Sequence, residues 1–203
     1  MTVFAVILAG GSGSRLGQVR KADLRVGGRT LLQRVIDQLG LSHETLLVST
    51  GRDGANGGFG IGLTDLDLPI GGPLAGLIAA ASHIRETAQP DTILLSVAVD
   101  TPFLPDNFVP RLVDALSGGA RAAQASWRGN IYPTNAAWRV SDLASLPERI
   151  GAGTAPRSAK ALLAELGAVE VDWADACDVD PFANLNTMED LIGLSRRARS
   201  SEE

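Results

Sequence analysis

Apolar side chains fall in short unbroken runs separated by amphipathic stretches. Val3 to Ala9 is almost entirely apolar and stops at Gly10, the pattern of a parallel strand buried on both faces. Leu31, Leu32, Val35, Ile36 and Leu39 then repeat at helical spacing. Thr30 with Gln33 three residues on makes a capping box, so a helix is predicted over about 30–40. Thr45 to Ser49 reads as a second strand, Leu74, Leu77, Ile78, Ala81 and Ile84 mark another helix, and Thr92 to Val99 is a further buried strand. A helix opening near Pro105 turns Val109, Leu112, Val113 and Leu116 inward. This alternation predicts a three-layer α/β fold, an open and mostly parallel sheet with helices on both faces.

After about Gly118 the pattern loosens. Ala120 to Ser126 and Ile131 to Trp138 flank Trp127-Arg128-Gly129-Asn130 and predict a small antiparallel element in the second half. Shorter helices over about 141–149 and 156–166, a strand over Val169 to Trp173 and a last helix from Thr187 complete the chain. One domain is expected over 1–195, its halves meeting at about 118–119, with a polar tail over 196–203 that frays.

Composition removes several classes of function. A chain of 203 residues, 45% of them hydrophobic, buries a core without staples. The lone Cys177 leaves no disulfide framework or Cys-rich zinc site to be built within one chain. With 18 Lys+Arg against 23 Asp+Glu, a net charge of -5, no basic block and few aromatics, extended nucleic-acid binding is not expected. The apolar runs are strand-sized, far short of the roughly 20 residues that span a bilayer. Met1-Thr2 carries no positive charge and Gly10-Gly11 cuts the first apolar stretch short, unlike a signal peptide. A soluble cytoplasmic protein without a membrane partner is the expectation.

Gly10-Gly11-Ser12-Gly13-Ser14-Arg15-Leu16-Gly17 lies between the first strand and the first helix, where sheets of this kind bind ligands at the carboxyl ends of their strands. Glycines let a backbone approach an anion and present its N–H groups. The loop has no Gly-Lys-Ser/Thr, so it is no P-loop, and Gly11-x-Gly13-x-x-x-Gly17 is one residue too long for a dinucleotide fingerprint. A plain strand-to-helix turn would use the same glycines. Arg15 and Lys21, just beyond them, point instead to a highly charged phosphate group, because Arg offers a planar fork and Lys a point charge.

Asp100 ends a buried strand, so its carboxylate is expected in the crevice above the sheet, where magnesium would take one or two carboxylates plus substrate phosphates. Thr101-Pro102 holds the following turn extended. Capping of that turn is the alternative role for Asp100. Asp175, Asp178 and Asp180 around Cys177 read as a solvated loop, and His43 and His83 as surface or boundary residues. Trp127, Trp138 and Trp173 read as core or edge packing.

Leu8-Ala9-Gly10-Gly11-x-x-x-Arg15-x-Gly17-x-x-x-Lys21 resembles the signature of nucleotidyltransferases of the sugar-nucleotide pyrophosphorylase type. Gly72-Pro73-Leu74-Ala75-Gly76-Leu77, Asp100-Thr101-Pro102-Phe103-Leu104-Pro105, Tyr132-Pro133-Thr134 and Asn184-Leu185-Asn186-Thr187-Met188-Glu189-Asp190-Leu191 follow in family order. Together they resemble the molybdenum cofactor guanylyltransferase (MobA) family over nearly the whole chain. Arg20 stands where its members often have Asp, and Ser49 where they commonly have an Asn that contacts the base.

The resemblance implies a Rossmann-like nucleotidyltransferase fold and a magnesium-dependent transfer of GMP from GTP to the phosphate of molybdenum-molybdopterin, with release of pyrophosphate. It further implies that Arg15, Lys21 and Asp100 are catalytic, with Asp100 on Mg²⁺, and that Leu8, Ala9, Gly10, Gly11, Ser49 and Asp65 join them around the nucleotide. Asp67 is the rival of Asp65. Tyr132, Pro133, Arg157, Asn184 and Asn186 are assigned to the pterin side; Asn184 and Asn186 have satisfaction of turn backbone groups as their alternative. Cofactor-delivery proteins or acceptor molybdoenzymes are the implied protein partners. A molybdopterin cytidylyltransferase, a nucleotidyltransferase for another metabolite and a nucleotide-binding protein without turnover are the competing readings.

Overall fold

The computed structural model describes residues 1–10, 12–13, 19–51 and 58–200, with the backbone alone at 12, 13, 199 and 200. The chain opens with β1 (Val3–Leu8) and two small ribbons, β2 (Ser12–Gly13) with β3 (Val19–Arg20), and β4 (Arg25–Val26) with β5 (Arg29–Thr30). Helix α1 (Leu31–Leu39) follows. Its capping box is formed as the sequence predicts: Gln33 N–H donates to Thr30 Oγ1 at 3.1 Å and Thr30 N–H to Gln33 Oε1 at 3.0 Å. Next come β6 (Leu46–Ser49), β7 (Ile61–Leu63), α2 (Pro73–Ile84), β8 (Ile93–Ala98) and α3 (Phe108–Ser117).

The second half contains β9 (Ala122–Trp127), β10 (Asn130–Arg139), α4 (Val140–Leu143), α5 (Leu146–Gly151), α6 (Ala159–Leu166), β11 (Val169–Asp172) and α7 (Met188–Ser200). Seven strands form one sheet in the order β11-β9-β10-β8-β1-β6-β7. Within it β10 alone runs antiparallel to its neighbours, pairing with both β8 and β9. Arg128 and Gly129, at φ of 48° and 81°, make the two-residue turn of the β9–β10 hairpin, the positive-φ turn that matches strand twist.

Both faces of the sheet are covered, which is why the strands read as unbroken apolar runs. Ala5, Ile7, Val48, Leu95 and Val97 face α1, α3 and α7, whereas Val6, Leu47 and Leu94 face α2 and α4 to α6. Trp138 and Trp173 are fully buried, and each indole N–H finds a partner, Ser96 Oγ at 2.9 Å and Asn107 Oδ1 at 2.8 Å. Among the described residues no helix is long and apolar enough to cross a membrane.

Several elements depart from the sequence reading. Helix α3 starts at Phe108, because residues 105–108 form a turn in which Phe108 N–H donates to Pro105 O at 2.9 Å. The helix expected over 141–149 is broken into α4 and α5. The last helix continues to Ser200, into the segment expected to fray: Leu194 and Ala198 are buried, and the Arg197 guanidinium lies 4.6 Å over the Phe103 ring while donating to Asp180 O at 2.8 Å. Arg197 is accommodated because its guanidinium stacks on the Phe103 ring and finds a carbonyl acceptor.

Candidate active site

The parallel strands β1, β6 and β8 end side by side at Leu8, Ser49 and Ala98, and a cavity of about 530 Å³ opens over these carboxyl ends. Backbone packing shapes its floor. Gly10 lies against Gly51 so closely that a Cβ would meet Gly51 N at 3.0 Å. In α2, Gly76 gives the helix its close approach to the strand ends: a Cβ there would run into Ser49 Oγ and come 2.9 Å from Leu8 Cδ2. The N-terminus of α2 borders the cavity through Gly72 and Pro73, and a helix start of this kind favours an anion.

Of the sequence-predicted residues, Leu8, Ala9, Gly10, Lys21, Ser49, Asp65, Asp100 and Asn184 line this cavity. Asp65 is brought in by its N–H, which donates to Gly51 O at 3.2 Å, whereas Asp67 is exposed and does not line it. Gly11 and Arg15 lie outside the described residues. Thr50, Gly51, Gly72, Pro73 and Thr134 also line the cavity. Sequence reasoning assigned no role to these, although Gly72-Pro73 and Thr134 belong to the quoted motifs and could have been followed further.

Lys21 opens a 3-10 turn directly after β3 and reaches across the cavity floor. Its ammonium donates to Asp100 Oδ2 at 2.7 Å and to Asn186 Oδ1 at 2.6 Å. Asp100 is fixed through its main chain, whose carbonyl accepts Leu185 N–H at 3.0 Å. The turn beyond it is held by Thr101, which donates from Oγ1 to Ala98 O at 2.7 Å, and by buried Asn135, whose Oδ1 accepts Ala98 N–H at 2.9 Å. Asn186 is placed by Asp190: that carboxylate accepts the N–H groups of Asn186 and Thr187 at 2.9 and 2.8 Å, while Thr187 Oγ1 accepts Asp190 N–H at 3.1 Å. The N–H of Asn186 is the main cause holding the Asp190 carboxyl below the usual carboxylate range, with Thr187 and the charge of Lys21 acting the same way against partial burial.

A second cavity of about 230 Å³ adjoins the first, and Pro73 and Thr134 line both. It holds Pro133, Arg157, Ser158 and Lys160, so Pro133 and Arg157 lie together at the start of α6. The register of β10 against β9 shifts between Tyr132 and Ala136, and this irregularity carries residues 133–135 toward the end of β8. Tyr132 does not go with them. It lines neither cavity; its hydroxyl donates to Asp180 at 2.7 Å and its ring packs 5.0 Å from Phe182. Burial, then Asp180, pushes the Tyr132 hydroxyl far above its usual range. The acidic loop around Cys177 is accordingly tied down, Asp180 by Tyr132 and Asp175 by Arg111 at 3.0 Å.

Residues 5–170 match the model of the MobA-like NTP transferase domain. The chain belongs to this family. It is 35% identical to a molybdenum cofactor guanylyltransferase of Rhizobium meliloti (strain 1021), over 92% of this chain and 88% of that one. It is 38% identical to one of Rhodobacter capsulatus, over 99% of each. In three dimensions it resembles the molybdopterin-guanine dinucleotide biosynthesis protein A of Archaeoglobus fulgidus, with a TM-score of 0.74, 22% identity, and 98% and 100% of the two chains covered. The 2-C-methyl-D-erythritol 4-phosphate cytidylyltransferase of Thermus thermophilus shares the fold at a TM-score of 0.65 and 22% identity, with the same coverage. The sheet with helices on both faces is the frame on which these cavities are built.

Proposed function

We propose that this chain transfers GMP from GTP to the terminal phosphate of molybdenum-molybdopterin, releasing pyrophosphate and forming the guanine dinucleotide cofactor. The observation that carries the reading is the cavity over β1, β6 and β8, which brings Lys21 and Asp100 together beside the glycine backbone of Gly10 and the start of α2. The named function of relatives covering at least 92% of the chain supports it. GTP is assigned to the larger cavity and the pterin phosphate to the smaller one, beside Pro133 and Arg157, with Asn184 on the wall of the larger cavity. Leu8, Ala9, Gly10, Ser49 and Asp65 surround the nucleoside, with Gly11 and Arg15 completing the phosphate loop.

The donor set suits magnesium: Asp100 contributes a hard carboxylate oxygen at the cavity wall, and a phosphate chain supplies the others. Asp100 would hold the ion, which when bound offsets charge on the phosphate oxygens. The protein's own residues need supply no nucleophile, because an ionised phosphate already is one. Their work is to align the two phosphates across the wall formed by Pro73 and Thr134 and to neutralise charge on the departing pyrophosphate, the task of Lys21. An acidic chain with strand-sized apolar runs suits a cytoplasmic enzyme. Pyrophosphate release in the presence of molybdenum-loaded pterin tests the reading. Turnover with GTP is expected, and turnover with CTP in its place would overturn the guanine assignment.

A further inference from the structure

The Asp100 carboxylate is already engaged. Lys21 and Asp100 form an ion pair of 2.7 Å whose side chains are only 19% and 17% exposed, with Asn186 Oδ1 2.6 Å from the same ammonium. An ammonium and a divalent cation drawn to one carboxylate oxygen repel each other, and partial removal from water strengthens that repulsion. The described residues also gather no carboxylate cluster around Asp100. Among the described residues there is no group of three or more His, Cys, Asp or Glu able to hold a metal, whereas a hard cation demands several oxygen ligands.

We propose that the Lys21–Asp100 pair bars free metal from the site, so that the divalent cation enters only together with the nucleoside triphosphate. The phosphates draw the Lys21 ammonium away from Asp100 and bring the oxygens that the protein lacks. Asn186 is neutral and exposed, so it hydrogen-bonds the ammonium without competing for the cation's charge. The inference rests on the assignment of Asp100 as metal ligand made above. It adds an order of events: the ion is part of the incoming substrate, and the Lys21–Asp100 pair opens only for the two together.

The test is titration of the full-length chain with Mn²⁺, a carboxylate-seeking stand-in for Mg²⁺, followed by loss of the free-ion electron paramagnetic resonance signal. The unaltered chain, Lys21→Met, Asp100→Asn and the double variant are compared without nucleotide, then with non-hydrolysable analogues of GTP and CTP. Thermal melting checks the fold, and Lys21→Gln replaces Lys21→Met if the latter does not fold. Without nucleotide, Lys21→Met is expected to bind Mn²⁺ at least about tenfold more tightly than the unaltered chain, since an adjacent positive charge has been removed. The double variant is expected to lose this gain. Equal Mn²⁺ affinity in Lys21→Met and the unaltered chain, or Mn²⁺ binding by the unaltered chain as tight without nucleotide as with it, overturns the proposal while leaving Asp100 as ligand. A gain that survives Asp100→Asn overturns both, because the ion then sits elsewhere. A preference for the CTP analogue would defeat only the guanine reading.

Discussion

Among the described residues Asp100 is held by its carboxylate through Lys21 and by its carbonyl through Leu185 N–H, and a substitution can separate the two. Asp100→Asn keeps the shape and the main-chain bond, so the melting temperature is expected to change little. Loss of the charge is expected to lower turnover at least about a hundredfold, in line with removal of one group that stabilises reacting charge. Near-normal pyrophosphate release at limiting Mg²⁺ would reject the assignment. For Lys21→Ala the expected loss in kcat exceeds the loss in GTP affinity, because the ammonium acts on charge that grows as pyrophosphate leaves. A raised KM with unchanged kcat would make Lys21 a ground-state binder instead. At this scale the sequence was informative about position and silent about partners. An apolar run ending in an acid located Asp100 at the crevice, but its link to Lys21 joins residues 79 positions apart, and the link from Lys21 to Asn186 spans 165. The partner of Tyr132 was hidden for the same reason: Asp180, the acceptor that holds its hydroxyl away from the two cavities, lies 48 positions away.

Helix α2 packs against the strand ends under the site at Gly76, a residue that has no side chain. Gly76→Val would drive a branched side chain into Ser49 and Leu8 and displace the helix from the strand ends. A cost of about 1–3 kcal/mol is expected from such overpacking, measurable by denaturant unfolding, together with weaker nucleotide binding. The start of α7 carries a pH-dependent contribution. Asp190 has its carboxyl held below the ordinary value of 3.8, chiefly by Asn186 N–H. A lowered folded value means that the stabilisation is fully present above the unfolded value and is lost as pH falls through the folded one. The difference in melting temperature between the unaltered chain and Asp190→Asn should therefore be largest near neutrality and shrink progressively as pH falls below 3.8; a constant difference would contradict it. Elements with strong local signals were legible, α1 by its capping box and β8 by six consecutive buried residues. Strand β7 was not, since Ile61-Gly62-Leu63 is three residues long and becomes a strand only by pairing with β6. The far end of α7 misled because two buried positions, Leu194 and Ala198, are too few to stand out among arginines.

Across the whole molecule an aromatic cluster ties the second half to the sheet. Phe182 packs on Tyr132, Trp173 and Phe108 with ring centroids 5.0, 5.2 and 6.0 Å away, two residues before Asn184. Phe182→Ala is expected to cost about 3–5 kcal/mol as a fully buried ring is lost, and, through the adjoining Asn184 to Asn186, to lower activity even where the protein stays folded. Full activity in the folded variant would show that the segment is held from elsewhere. All seven strands of the large sheet are present by Asp172, yet Lys21 meets one of its two acceptors only at Asn186. During synthesis an early part of the site thus waits for a late one. A nascent chain can lay down its entire sheet with the Lys21 clamp still incomplete, so ribosomal products that stop short of Asn186 can resemble the finished protein in secondary structure and still lack its assembled chemistry.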